Sequence, residues 1–423
     1  MASAISLRSS IASSVDIAQT VSDSPFTVEW LVQSLLDNDS KFCDLARRSK
    51  IEKITAVNVS QGKGYVSTVY NVLIGFENVD EPYQVILKVP GADQFNADPA
   101  NTAGDEMITE EFVSSAHNAE CEFYNKFAPY LNIPLVKIYN SIEMRIGEHK
   151  TAGALLMESM CGRGESCPIQ TGASKEQLMN LAKHLATLYA YSLCLPEEEL
   201  AGKYTVNVMC SLTTNEDVYG PHADKIKVMK PGTFDRALDV FRRYVCSKAF
   251  YTYTMTDVYK DIGLPPVLTH GDTWANNVLW KMNADGSLSN ELAALIDWQV
   301  MHQGCITNDL ARYMTLCVDG DVRREHEYHI LRFMYDRIVH LMAEEGKPVE
   351  FTFDQMKQAY QVNLVGHSVL MMLMAAFVYS GEGWTPEEMP IKLAQREKVL
   401  LRTQLAMEDA LVYFENIPKH RLE

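Results

Sequence analysis

Residues 269–280, THGDTWANNVLW, are the most informative stretch of this chain. An apolar run, PPVL, leads into a loop that carries Asp272, and Asn277 follows five residues later, directly before a second apolar run. Twenty residues beyond Asn277, a further strand-like run, ALID, ends in the carboxylate of Asp297. The pattern predicts that two acids and an amide from two short loops serve one chemical site.

Transfer of a phosphoryl group gives this spacing a chemical reason. Its transition state is loose, so the protein has to position the acceptor and neutralise charge on the phosphates. Asp272 would orient an acceptor hydroxyl and take its proton, while Asn277 and Asp297 would hold magnesium through the hard oxygen atoms that this ion prefers. The alternative is that the same residues only form turns, since Asp and Asn favour turns through local hydrogen bonds.

Composition limits the classes of partner. The 423 residues are 47% hydrophobic and 22% charged, values typical of folded globular proteins. A net charge of −17 repels nucleic acid and anionic membrane surfaces, although a local cluster of lysine, backbone N–H groups and metal could still hold a small anion. The nine cysteines form no finger-like spacing, which favours reduced thiols and a cytoplasmic location.

The chain before residue 160 has the pattern of a small β-rich lobe. Three β-rich runs between residues 54 and 89, with turn signals between them, predict an antiparallel meander. Apolar spacing in residues 109–127 predicts a helix. We expect a frayed leader over residues 1–25, an N-terminal lobe over 26–160 and a mainly helical C-terminal lobe over 161–423. The longest apolar run, 369–378, is too short to cross a bilayer and predicts a buried helix.

The β-rich lobe contains candidates for phosphate binding. Gly62, Lys63 and Gly64, followed by Ser67, stand between two predicted strands, where glycines let backbone N–H groups approach phosphates; an ordinary hairpin turn is the alternative. Lys88 lies inside the apolar strand YQVILKVP and is either an edge-strand lysine or the partner of a carboxylate. The helix AECEFYNKF offers Glu120 as that partner.

Taken in order, these pieces resemble the protein-kinase-like superfamily. The resemblance covers roughly residues 50 to 380 and is to the small-molecule branch, which includes choline kinases, aminoglycoside phosphotransferases and, most similar to this chain, the ecdysteroid-kinase-like (CHK kinase-like) family. It rests on GKGYVSTVY, VILKVP, AECEFY, GALLMES, THGDTWANNVLW, ALIDWQ and Asn308-Asp309-Leu310-Ala311. It implies an α+β, bilobal protein-kinase-like fold, with a small antiparallel-sheet N-lobe and a larger helical C-lobe.

The resemblance also implies roles for single residues. Lys88 would bind nucleotide phosphates, Glu120 would pair with it, and Asp272 would be the catalytic base. The implied adenine-contacting hinge consists of Met157, Glu158 and Met160. Asn277 and Asp297 would ligate magnesium, His270 would support the catalytic loop, and Asp309 would anchor structure behind it.

Departures from the protein-kinase pattern favour a small-molecule acceptor. Asp297-Trp298-Gln299 stands in place of D-F-G, Gly271 replaces the arginine of H-R-D, and no A-P-E segment follows. The sequence therefore predicts an ATP- and Mg²⁺-dependent phosphotransferase acting on a hydroxyl of a sterol, glycoside or amino alcohol. A catalytically silent nucleotide- or small-molecule-binding protein is the alternative, and a protein kinase is a weaker one. Trp274 would either line the acceptor pocket or pack in the core.

Two further motifs favour neither a hydrolase nor a metal site. Gly366-His367-Ser368 resembles the start of a hydrolase nucleophile elbow, but Leu370 stands where its second glycine is required. His326 and His329 lie three residues apart without the H-E-x-x-H spacing, which favours a solvated helix face over a metal site.

Overall fold

The computed structural model describes residues 7–60, 66–91, 108–200, 202–207, 210, 214–379, 381 and 383–422. The chain divides into two compact units. The N-terminal unit comprises residues 1–129 and 136–161, and the C-terminal unit comprises residues 130–135 and 162–423.

The N-terminal unit is built on an antiparallel sheet of five strands in the order β1-β2-β3-β5-β4. Its strands are β1 (Ile51–Asn58), β2 (Ser67–Phe76), β3 (Tyr83–Pro90), β4 (Ile138–Ile142) and β5 (Ala154–Glu158). Its helices are α1 (Leu7–Ser10), α2 (Val28–Asn38), α3 (Ser40–Arg48) and α4 (Glu110–Glu122), the last continued by a π-helical turn over Phe123–Phe127. The predicted meander of β1, β2 and β3 is confirmed, as is the helix after residue 109.

The expected frayed leader is wrong for residues 7–25. Ile11 and Val21 belong to the buried core of the N-terminal unit, together with Leu31 of α2 and Ile51 of β1. The backbone N–H of Ala12 donates to the carbonyl of Ile51 at 2.8 Å. The apolar side chains of the segment are too widely spaced to show a period, so their burial depends on contacts with distant elements.

The C-terminal unit is mainly helical. Its helices are α5 (Lys175–Cys194), α6 (Glu197–Leu200), α7 (Glu216–Met229), α8 (Asp235–Phe241), α9 (Lys248–Tyr251), α10 (Val258–Ile262), α11 (Asn308–Cys317), α12 (Gly320–Glu344), α13 (Phe353–Val378) and α14 (Met389–Phe414). Its short strands are β6 (Gly164–Ser166), β7 (Val267–Thr269), β8 (Val278–Met282), β9 (Leu288–Leu295) and β10 (His302–Gly304). They form two antiparallel sheets, β6-β8-β9 and β10-β7.

Helix α13 is a buried helix, as its apolar run predicts. By length and composition it could cross a membrane, but 78% of its apolar window is buried inside the structure, as in the core helix of many soluble proteins. Residues 366–368 lie within this helix, so they form no strand-to-helix elbow. The α+β fold of protein-kinase type, an antiparallel-sheet N-terminal part with a helical C-terminal part, is confirmed.

Candidate active site

The loop between β7 and β8 carries the predicted catalytic residues. It runs from His270 to Trp274 and closes in a 3₁₀ turn over Ala275–Asn277. Pairing of β8 with β9 brings the end of β9 alongside, and the N–H of Ile296 donates to the carbonyl of Asn277 at 3.0 Å. The hairpin therefore places Asp297 next to the loop, although it lies twenty residues after Asn277 in the sequence.

The Asp272 carboxylate is held at both oxygens. Asn277 Nδ2 donates to Asp272 Oδ2 at 2.9 Å and to the Asp272 carbonyl at 2.9 Å. The guanidinium of Arg312 binds Oδ1. Burial raises the pKa of Asp272 above its usual range; Arg312 opposes this, and the nearby charge of Asp297 adds to it.

His270 connects the loop to the strand end that carries Asp297. Its Nδ1 accepts the N–H of Asp272 at 3.2 Å, and its Nε2 then donates to the carbonyl of Ile296 at 2.9 Å. The ring lies against Trp298, with centroids 4.5 Å apart. Because both ring nitrogens are engaged, His270 supports the geometry around Asp272.

Helix α11 fixes the backbone of the loop. Asp309 accepts the N–H of His270 at 2.9 Å and the N–H of Gly271 at 2.8 Å. The Tyr189 hydroxyl on α5 donates to the same carboxylate at 2.9 Å, and burial raises the pKa of that phenol well above its usual value. Gly271 itself has φ +82°, the left-handed region that favours glycine.

The two acids and the amide offer oxygen atoms of the kind that Mg²⁺ prefers. Asn277 uses its NH₂ group on Asp272, so its amide oxygen remains as an acceptor. Asp297 has φ +68°, one of three described non-glycine residues with positive φ, and such backbone strain often accompanies function. Within the described ranges no three His, Cys, Asp or Glu side chains group for a metal.

Lys88 and Glu120 come together inside the N-terminal unit. Lys88 Nζ on β3 donates to Glu120 Oε2 on α4 at 2.5 Å, and the residues are 8% and 1% exposed. Two charges at this depth are costly unless they are paired, and the short contact satisfies that requirement. The interpretation of Lys88 as an exposed edge-strand lysine is therefore wrong; β3 lies inside the sheet, between β2 and β5.

The remaining predicted residues lie on separate elements. Ser67 begins β2 and pairs with Pro90, and Met157 is buried in β5. Glu158 ends β5, where its carboxylate accepts the N–H of Lys137 at 3.2 Å; Met160 follows and is half-buried. Trp274 is also half-buried. Gly62, Lys63 and Gly64 lie outside the described residues.

Arg312 is the site residue that the sequence motifs do not indicate. A helix beginning at Asn308 places positions 309 and 312 on one face, because residues three apart are neighbours on a helix. That spacing is the signal in the sequence that Asp309 and Arg312 act on the same neighbour. It could not show that this face meets Asp272, forty residues earlier in the chain.

Comparison with known proteins supports the kinase-like relation. Residues 28–417 match the family DUF1679, described as "Uncharacterized oxidoreductase dhs-27", and the chain belongs to this family. The Caenorhabditis elegans protein of that name is 24% identical over 424 residues, which are 94% of this chain and 50% of that protein. An uncharacterized kinase-like protein of the same organism is 23% identical, over 76% of this chain and 82% of its own length.

Among solved structures, choline kinase from Cryptosporidium parvum Iowa II is similar, with a TM-score of 0.47 and 10% identity. The match covers 92% of this chain and 94% of that one. The family match and the kinase-like relative confirm the resemblance to the protein-kinase-like superfamily. The chain spans about half the length of the worm protein named as an oxidoreductase.

Proposed function

We propose that the protein transfers the γ-phosphoryl group of ATP to a hydroxyl group of a small molecule. The observation that carries the proposal is the arrangement around Asp272. This carboxylate, whose side chain is 13% exposed, is held by the amide of Asn277, whose own oxygen is left for a cation, and the charge of Asp297 is close by. An oriented base beside an amide and a second acid is the set that phosphoryl transfer requires.

In this proposal Asp272 accepts the proton of the acceptor hydroxyl. The acceptor oxygen bonds to the γ-phosphorus as the bond from that phosphorus to the β,γ-bridging oxygen breaks, and ADP leaves. Asn277 and Asp297 would hold Mg²⁺, which supplies charge neutralisation on the phosphates. His270 keeps the base in place through the N–H of Asp272.

The nucleotide would also use residues of the N-terminal unit. Lys88, oriented by Glu120, would contact the phosphates, as the resemblance implies. The glycine-containing segment with Gly62, Lys63 and Gly64, together with Ser67, would contribute backbone N–H groups. Met157, Glu158 and Met160 would contact the adenine, and Trp274 would form an apolar wall for the acceptor. A cytoplasmic location is part of the same proposal.

The oxidoreductase name of the longer worm relative finds no support in the described sheets. A dinucleotide-binding Rossmann fold needs parallel strands joined by crossover helices. The named strands described for this chain pair antiparallel throughout. The described part of the chain therefore favours the kinase chemistry.

The proposal is tested by ATP turnover against a panel of sterols, glycosides and amino alcohols, with Asp272→Asn as the inactive variant. Loss of a general base typically lowers the rate by about 10²–10⁴-fold. The matched control is Asp285→Asn, which makes the same chemical change in the exposed β8–β9 turn, where Asp285 binds Ser287. Equal turnover by wild type and Asp272→Asn would refute the assignment, and Mg²⁺-dependent nucleotide binding without turnover of any acceptor would favour a silent binding protein.

A further inference from the structure

Helix α11 meets the catalytic loop with two side chains of opposite charge. Asp309 binds the backbone N–H groups of His270 and Gly271, and Arg312, one turn further along, binds the Asp272 side chain. The first contact fixes where the loop runs. The second acts on the orientation of one carboxylate.

The burial of Arg312 explains why it needs a partner of opposite charge. Arg312 is 3% exposed, and a buried guanidinium is costly unless a carboxylate faces it. Asp272 supplies that carboxylate. His367 on α13 also lies close; burial lowers its pKa well below the usual value and the Arg312 charge lowers it further, so this neighbour stays neutral.

We propose that Arg312 is a positioning residue that fixes the rotation of the Asp272 carboxylate for proton acceptance. The terminal torsion of an aspartate is broad, so a single hydrogen bond leaves the carboxylate free to rotate. Asn277 holds Oδ2, Arg312 holds Oδ1, and the two contacts together define one orientation. The inference rests on the proposed function, because it assigns Asp272 the role of base.

A purely structural role for Arg312 would duplicate contacts that already exist. Asp309 attaches α11 to the loop through two hydrogen bonds and is itself held by Tyr189. The hairpin is attached separately through His270 and the carbonyl of Ile296. Loss of Arg312 should therefore leave the loop in place and release only the carboxylate.

The test compares Arg312→Met, Arg312→Lys and a control, Arg323→Met. Arg323 is also a buried arginine of the C-terminal unit, but it pairs with Glu327 and Asp409, away from the loop. We expect Arg312→Met to lower kcat by about 10²-fold, the size of effect that misplacement of a catalytic group produces, and to change KM for ATP less than about twofold. Arg312→Lys should recover part of kcat, while Arg323→Met should lower the melting temperature without this selective loss of kcat.

Crystal structures of wild type and Arg312→Met give a readout that needs no activity. The wild-type carboxylate should have one orientation, with Oδ2 on Asn277, and the variant should show it rotated or in two orientations. One unchanged orientation in the variant, or kcat equal to that of wild type, would overturn the proposal. If wild type turned over no alcohol, the proposed function would fail, and the crystallographic comparison would still decide whether Arg312 positions Asp272.

Discussion

At the scale of single residues, Gly271 shows how closely the catalytic loop approaches its neighbours. A Cβ at this position would lie 2.4 Å from the carbonyl oxygen of Val300 and 2.9 Å from Nδ1 of His302. Both are parts of the packed segment after Asp297, so neither can move freely. The sequence shows only that glycine replaces the arginine of the protein-kinase pattern; the reason lies in this close contact.

We predict that Gly271→Ala displaces the loop, destabilises the fold and lowers turnover by about 10²-fold or more, because a small misplacement of a catalytic group costs that much. Gly286→Ala is the matched control. Gly286 has nearly the same φ, +83°, but no atom within 4 Å of its hypothetical Cβ. The Gly286→Ala variant should be destabilised only by the ~1–2 kcal/mol that a non-glycine residue costs in the left-handed conformation, and its turnover should be retained. Thermal unfolding and kcat measure the difference, and equal effects of the two substitutions would contradict the role of the Val300 contact.

At the scale of elements, helix α4 is attached to the end of β4 through a buried histidine. His117 Nε2 donates to the carbonyl of Ile142 at 2.8 Å. Burial lowers the pKa of His117 to about 4, the bond to Ile142 opposes this, and the charge of Lys88 lowers it further. The folded state therefore keeps this ring neutral.

A pH dependence of stability follows from His117. The unfolded state, with a pKa near 6.5, binds a proton that the folded state does not bind until about pH 4, so the stabilisation is complete above pH 6.5 and is lost as pH falls. As pH falls from 7 to 5, this group lowers the free energy of unfolding by about 2 kcal/mol. In urea unfolding, His117→Gln should show a smaller fall in the free energy of unfolding between pH 7 and pH 5 than wild type. His149→Gln, a change at an exposed histidine, should show the same fall as wild type. Equal pH slopes for wild type and His117→Gln would contradict the prediction.

Local sequence patterns predict those helices and strands that are defined by residues close together in the chain. The β1–β3 meander follows from β-rich runs and turn signals, and α13 follows from its apolar run. The positions of Asp272, Asn277 and Asp297 follow from motif spacing, because a β-hairpin converts that spacing into proximity. The packing of Ile11 and the contact of Arg312 with Asp272 could not be predicted, since each depends on residues forty positions away.

At the scale of the whole molecule, charge and length bear on what the protein binds. The net charge of −17 does not favour polyanionic partners, whereas the charges of Asp272 and Asp297 lie close together in the site and favour a divalent cation there. A phosphorylated ligand would then bind together with Mg²⁺ rather than alone. The longer worm relative is named an oxidoreductase, so the nicotinamide dinucleotides that many oxidoreductases use serve as comparison ligands for this chain.

We predict that ATP with Mg²⁺ stabilises the protein against heat and that NADH and NADPH do not. A ligand at a hundred times its dissociation constant stabilises the folded state by about 2.7 kcal/mol, which moves the melting temperature of a chain this large by a few degrees. Asp297→Asn should weaken the Mg²⁺-dependent part of that shift, because an amide neutralises less charge than a carboxylate, while Asp285→Asn in the exposed turn should leave it intact. A shift with NADH equal to that with MgATP would contradict the kinase assignment, because the antiparallel sheets described for this chain provide no parallel-strand crevice for a dinucleotide.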